Sequence, residues 1–206
     1  GEPDFDTPAH IRRAAAEAIE SGQTRYTPTA GTPALRQAIS EKLARENQLA
    51  YAPREIIATC GAKHAIFNAL AITVQTGDEV LVPAPYWVSY PDMVLACDGT
   101  PVVVPCVEED GFKLTPAVLD AAITARTKWL IINSPSNPTG AAYTLEELQA
   151  LAEVLRRHPQ VLVMTDDIYE HIRFDGQPTP HLLNAAPDLR ERTLLINGVS
   201  KTYAMT

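Results

Sequence analysis

One lysine near the end of the chain has the setting of a nucleophile. Lys201 lies in Gly198-Val199-Ser200-Lys201-Thr202-Tyr203, just after the apolar run Leu194-Leu195-Ile196. An amine held at the end of a buried strand is partly desolvated, loses its proton more easily, and can attack a carbonyl to form a Schiff base. A lone lysine is more often a solvated surface charge. Other residues that follow apolar runs have the same double reading. Asp166 suits pairing with a ring nitrogen or capping a helix. Tyr169 suits donation to a phenolate oxygen or half-burial in a core. Asn137, between two prolines, suits the same oxygen or a plain turn. Trp87 suits stacking on a flat ring or packing in a core or interface. Gly61-Ala62-Lys63 opens a helix, where small residues let backbone N–H groups approach a phosphate; an ordinary tight turn has the same composition.

Taken together these residues are more specific. They come from five different segments and supply complementary parts for one ligand. That ligand has a phosphate, a flat aromatic ring, a basic ring nitrogen, a phenolic oxygen and an aldehyde, which describes pyridoxal 5'-phosphate.

The elements that must position them follow from periodicity. Thr7-Pro8, Thr32-Pro33 and Thr115-Pro116 each read as a cap followed by a first-turn proline. The first of these helices runs through Ala14, Ala18 and Ile19 and stops near Gly22, and the second places Leu35, Ile39 and Leu43 on one face. Thr144 with Glu147 forms a capping box ahead of Leu148, Leu151 and Leu155. Six short apolar, β-branched runs predict strands at 55–59, 79–82, 101–104, 129–132, 161–164 and 193–196. Their nearly uniform apolarity fits strands covered on both faces, and their alternation with helices predicts a mostly parallel α/β sheet. Ligands of such sheets sit outside the carboxyl ends of the strands, where the residues above are expected.

Composition excludes several classes. The chain has 206 residues, 46% hydrophobic and 20% charged, with a net charge of −8. That is an ordinary globular composition, and the acidity disfavours nucleic acid as a partner. The three cysteines have no C-x-x-C spacing and read as reduced thiols of a cytoplasmic protein. No apolar run is long enough to span a membrane. The five histidines show no metal-ligand spacing, so no metal is expected. Walker, G-x-G-x-x-G and G-x-S-x-G motifs are all missing.

The order of seven segments resembles the fold-type I pyridoxal-phosphate aminotransferases of class I/II, the aspartate-aminotransferase-like group. They are Gly1-Glu2-Pro3-Asp4-Phe5, Tyr26-Thr27-Pro28 with Ala30-Gly31, Gly61-Ala62-Lys63, Pro85-Tyr86-Trp87-Val88-Ser89-Tyr90, Ser134 to Gly140, Asp166-Asp167-Ile168-Tyr169-Glu170-His171 and Ser200 to Thr206. The resemblance covers essentially the whole chain. It implies a three-layer α/β/α large domain with a mostly parallel sheet. Residues 1–206 would be part of this cofactor-binding domain, with the N-terminal arm, the antiparallel strand and the C-terminal small domain lying outside them. It implies that Lys201 holds the cofactor as a Schiff base and moves the proton at the substrate α-carbon. Asp166 would keep the pyridine nitrogen protonated. Tyr169 and Asn137 would hydrogen-bond the phenolate oxygen, Trp87 would stack on the ring, and Gly61, Ala62 and Lys63 would bind the phosphate.

The same resemblance implies a homodimer in which Tyr26 reaches the phosphate of the neighbouring subunit. Gly1 would lie in a segment over the substrate, and Trp87 and Asn137 would also face the substrate. Lys63 matches a position that in one subgroup contacts the distal carboxylate of an acidic substrate; a surface role stays open for it. One departure is Gly198, which stands where the family often has a Ser or Thr phosphate ligand. The expected reaction is transamination of aspartate or another acidic amino acid with a 2-oxo acid such as 2-oxoglutarate. Three alternatives remain: a C–S lyase or decarboxylase of the same fold, an aminotransferase-like sensor domain of a transcription regulator, and a fragment inactive on its own.

Overall fold

The computed structural model describes residues 2–206, so Gly1 lies outside the described residues. The chain forms two compact units, residues 1–61 with 198–206, and residues 62–197.

The first unit holds helix α1 (Ala9–Glu20) and helix α2 (Pro33–Lys42), which runs on into a π-helical turn, Leu43–Asn47. Thr32 caps α2 as its sequence predicts, accepting the Leu35 N–H at 3.2 Å with Pro33 in the first turn. Thr7 does not cap α1. Pro8 occupies the cap position with φ −51° and ψ 138°, so its fixed φ serves an extended residue and the helix starts one residue later. The Thr7 hydroxyl donates instead to the Ala204 carbonyl at 2.5 Å.

A second expectation also fails in this unit. Residues 55–59 do not form a strand. Pro53–Glu55 is a 3-10 turn, Ile56 is extended, and Ala58 N–H reaches the Ala30 carbonyl at 3.0 Å. Extended backbone becomes a strand only with a ladder, and an apolar run is a central strand only when both faces are covered. Ile57 is 70% exposed, so neither condition is met.

The second unit carries the sheet. In chain order it contains helix α3 (Ala62–Thr73), strand β1 (Glu79–Ala84), helix α4 (Ser89–Leu95), strand β2 (Thr100–Pro105), helix α5 (Pro116–Ala122) and strand β3 (Thr127–Asn133). Helix α6 (Leu145–Arg157), strand β4 (Leu162–Asp166), helix α7 (Leu182–Ala185) and strand β5 (Thr193–Ile196) follow. The five strands run in the order β2-β1-β3-β4-β5, and every pairing is parallel. Strand alternation explains the burial. Val80, Val82, Trp129, Ile131, Met164 and Ile196 pack in one core with Ile66 and Leu70 of α3 and with Tyr90 and Val94 of α4. The intervening Leu81, Leu130, Ile132 and Val163 are buried as well, so both faces are covered. Each fully buried Leu or Ile contributes about 2 kcal/mol of transfer free energy.

Local signals hold through this unit. Thr115 caps α5 through the Val118 N–H, and Thr144 with Glu147 forms the predicted capping box of α6. Leu148, Leu151 and Leu155 of α6 are buried. At its far end, Arg192 donates to the carbonyls of Leu155, His158 and Val161, which satisfies part of the helix C-terminus.

Candidate cofactor site at the carboxyl ends of the strands

The strand order reverses direction between β1 and β3. From β1 the chain crosses to β2 on one side, then returns to place β3 on the other. Such a switch point leaves a crevice outside the carboxyl ends of the two strands. A cavity of about 30 Å³ opens there, and Tyr86, Tyr90, Asn133, Asn137 and Tyr143 are among its lining residues.

Asp166 is the last residue of β4 and is only 4% exposed. Tyr90, in the first turn of α4, donates its hydroxyl to Asp166 Oδ2 at 2.6 Å. The Ile168 N–H points at Oδ1 from 3.4 Å. No cationic side chain among the described residues of this unit forms an ion pair with Asp166. Burial is the main cause that raises its pKa, to about 6, and the charge of Asp167 adds to it. The Tyr90 and Ile168 donors pull the other way and lose. Tyr90 is itself pushed up, first by burial and then by the Asp166 charge, so it stays a phenol.

Asn133 ties the segments together. It ends β3 directly opposite Asp166 in the β3–β4 register. Its Nδ2 donates to the Asp166 carbonyl at 2.8 Å, while its Oδ1 accepts the Asn137 N–H at 2.8 Å. The Asn137 side chain then points its Nδ2 at the Tyr169 hydroxyl from 3.4 Å. Burial and the Asp166 charge raise the Tyr169 pKa, with Asn137 opposing, so Tyr169 is also a proton donor at neutral pH. One strand-end amide thus fixes the spacing of Asp166, Asn137 and Tyr169. Trp87 packs edge-to-face on Tyr90, with ring centroids 5.3 Å apart at 88°. The Lys63 ammonium sits 4.9 Å from the Trp87 ring centroid, a cation–π contact.

The expected residues therefore fall into two groups. Asp166, Tyr169, Asn137, Trp87 and Lys63 belong to the sheet unit, and the contacts above link Asp166 to Trp87, Tyr169 to Asn137 and Lys63 to Trp87. Ala62 and Lys63 are the first residues of α3. Lys201, Gly61 and Tyr26 belong to the other unit. Lys201 is half-buried in a turn in which Tyr203 N–H reaches the Val199 carbonyl and Ala204 N–H the Lys201 carbonyl. Gly61 has φ +93°, a conformation that a side chain would strain. It follows extended, unladdered chain rather than the strand end expected for it. Tyr26 is fully exposed.

Two site residues escape sequence reasoning, Tyr90 and Asn133. A signal existed for Asn133: asparagine is a poor strand former, so one that ends an apolar strand needs buried partners. Tyr90 closes the Pro85 to Tyr90 segment of the resemblance but carries no role there, because on a helix at this spacing it reads as core.

The fold and this cluster define a parallel α/β protein whose polar groups gather at the carboxyl ends of the strands. The comparisons narrow this. The model of the aminotransferase class I and II family matches residues 1–206. Aspartate/prephenate aminotransferases of Cereibacter sphaeroides and Nitrosomonas europaea are 58% and 54% identical over the whole chain, which covers 52% of each of them. The crystal structure of the aspartate aminotransferase from Rhizobium meliloti superposes with a TM-score of 0.99 at 52% identity, over all of this chain and 52% of that one. The chain belongs to the aminotransferase class I and II family. It spans about half the length of the curated relatives it matches.

Proposed function

We propose that the protein carrying this chain is a pyridoxal-phosphate-dependent transaminase that takes aspartate as amino donor. The observation that carries the reading is the Asp166 carboxyl, buried at a strand end, raised to about 6 and met by one short neutral donor. A carboxylate kept this basic suits a partner that is itself cationic, such as a protonated pyridine nitrogen.

The rest of the donor set fits the same cofactor. Tyr169 and Asn137, 3.4 Å apart, offer a phenol and an amide N–H to a phenolate oxygen. Trp87 offers an aromatic face, and the first residues of α3, Ala62 and Lys63, offer backbone N–H groups at a helix N-terminus with Gly61 before them. Lys201 would hold the cofactor's aldehyde through its amine, then move the proton at the substrate α-carbon. When bound, pyridoxal phosphate supplies an electron sink for the carbanion formed at that carbon. Lys63 would set the preference for a second carboxylate, and Gly1 and Tyr26 would act at the substrate and across a homodimer interface.

Relatives named aspartate/prephenate aminotransferase favour aspartate as donor, with prephenate beside 2-oxoglutarate as an acceptor to try. The test is the visible absorption of the full-length protein with pyridoxal phosphate, before and after aspartate, alongside Lys201→Ala. We expect a band that Lys201→Ala abolishes and aspartate bleaches, with the amino group recovered on an added 2-oxo acid. Release of ammonia without transfer would instead point to a lyase. Absence of any band in the intact protein would overturn the cofactor assignment.

A further inference from the structure

Next to Asp166 lies a second buried carboxylate that the proposed chemistry does not use. Asp167 is 8% exposed, and its Oδ2 is 2.9 Å from Nε2 of His181, which is 4% exposed. The Thr165 hydroxyl lies 3.1 Å from the same nitrogen and points at Asp167 Oδ2 from 3.4 Å. His181 caps the N-terminus of α7, and its other ring nitrogen, Nδ1, accepts the Leu183 N–H at 3.0 Å. The backbone N–H of His181 donates to Asn184 Oδ1 at 3.1 Å, and the bond accepted by Nδ1 fixes the ring's orientation.

These contacts fix where the protons are. An atom that accepts from a backbone N–H carries no proton, so Nδ1 is bare and the ring's single proton sits on Nε2. The imidazole is therefore neutral, and Asp167 is held by two neutral donors, His181 and Thr165. Neutral donors fix a carboxylate without cancelling its charge, whereas an imidazolium would cancel it. The backbone between the two carboxylates is clamped as well, by Asn133 on the Asp166 carbonyl and by the Ile196 carbonyl on the Asp167 N–H at 2.8 Å.

The geometry points to His181 as a positioning residue that, as a neutral ring, keeps an anionic Asp167 beside Asp166 and so strengthens the hold of Asp166 on a cationic ring nitrogen. This rests on the role of Asp166 proposed above. The upward push of the Asp167 charge on the Asp166 carboxyl agrees in direction.

Two ligands separate this role from a merely structural one: pyridoxal phosphate and its deaza analogue, in which carbon replaces the ring nitrogen. Dissociation constants are measured on the full-length protein, with circular dichroism to verify the fold. We expect the wild type to prefer pyridoxal phosphate and Asp167→Asn to lose about tenfold of that preference, an effect of one nearby charge in a protein interior. Asp167→Asn keeps the shape and the His181 contact, so the analogue should bind as before. His181→Gln, a neutral donor, should retain the preference. In the unliganded wild type, the ring ¹⁵N shifts of His181 should report the neutral Nε2–H form, a readout that needs no ligand. An imidazolium there overturns the inference, as does an Asp167→Asn protein that keeps the full preference or weakens for both ligands alike. A wild type that binds both ligands equally would overturn the role of Asp166 itself.

Discussion

Two buried carboxylates sit at opposite ends of the same sheet, and the fold treats them in opposite ways. Glu79 opens β1 and is 5% exposed; Asp166 closes β4 and is 4% exposed. Glu79 accepts from the Thr124 hydroxyl and from the Arg126 guanidinium, and these two hold its pKa below the ordinary carboxylate value against the effect of burial. Asp166 has a tyrosine and one backbone N–H, and burial wins. Similar solvent exposure therefore says nothing about role: Glu79 lies at shallow depth with Thr124 and Arg126 against it, whereas Asp166 lies deep and meets neutral donors. At the amino end a cation of the same unit, Arg126, meets the carboxylate. At the carboxyl end the described residues of the sheet unit offer Asp166 neutral donors, which leaves a basic carboxyl suited to a cationic ligand.

The comparison is broken most directly by Asp166→Asn. Losing a buried charge partner is expected to lower kcat/KM for the proposed transamination, measured on the full-length protein, by about 10³-fold. The variant should nevertheless be more stable than the wild type at neutral pH without ligand. The Asp166 carboxyl is raised from 3.8 to about 6, so its stabilising contribution is complete below pH 3.8 and lost as pH rises through 6. Asparagine removes that loss, of roughly 3 kcal/mol, and denaturant midpoints at pH 4 and pH 7 would show it.

Tyr90→Phe sharpens the same end. It removes the short donor to Oδ2 and should cost about 2 kcal/mol in kcat/KM, roughly 30-fold, and about 1 kcal/mol of unfolding free energy at neutral pH, where the Asp166 carboxyl is ionised. Glu79→Gln probes the other end and should reverse the pattern. Unfolding at neutral pH should weaken by about 2 kcal/mol while kcat/KM holds. Because the Glu79 pKa is lowered, its contribution is present above the unfolded value and lost as pH falls through the folded one. The mutant and wild type should therefore converge in acid. Thr124→Val, which removes only one donor to Glu79, should cost about 1 kcal/mol with the same acid convergence.

Much of this was legible in the sequence. Strand and helix positions followed from β-branched runs and Thr-Pro caps, and Asp166, Tyr169, Asn137 and Lys201 stood out because each follows an apolar run. What was not legible depended on partners far along the chain. Ile57 has the composition of a buried strand residue, yet no ladder covers it, and composition cannot report a neighbour. Thr7-Pro8 has the same dipeptide as Thr32-Pro33, but the Thr7 hydroxyl is taken by Ala204, 197 residues away. Tyr90 reads as core until its hydroxyl meets Asp166 across 76 residues. His181 showed no metal spacing, and its meaning came only from which nitrogen faces α7.

The sheet without hairpins also bears on how the chain assembles on the ribosome. Consecutive strands never meet through a tight turn, and β1 acquires its inner neighbour only when residues 127–133 have emerged. Until then, β1 leaves the tunnel with its inner edge uncovered. Such non-local pairing folds slowly and exposes sticky edges during synthesis. Nascent chains stalled before β3 should therefore depend on chaperones, and those stalled beyond β5 should depend on them less.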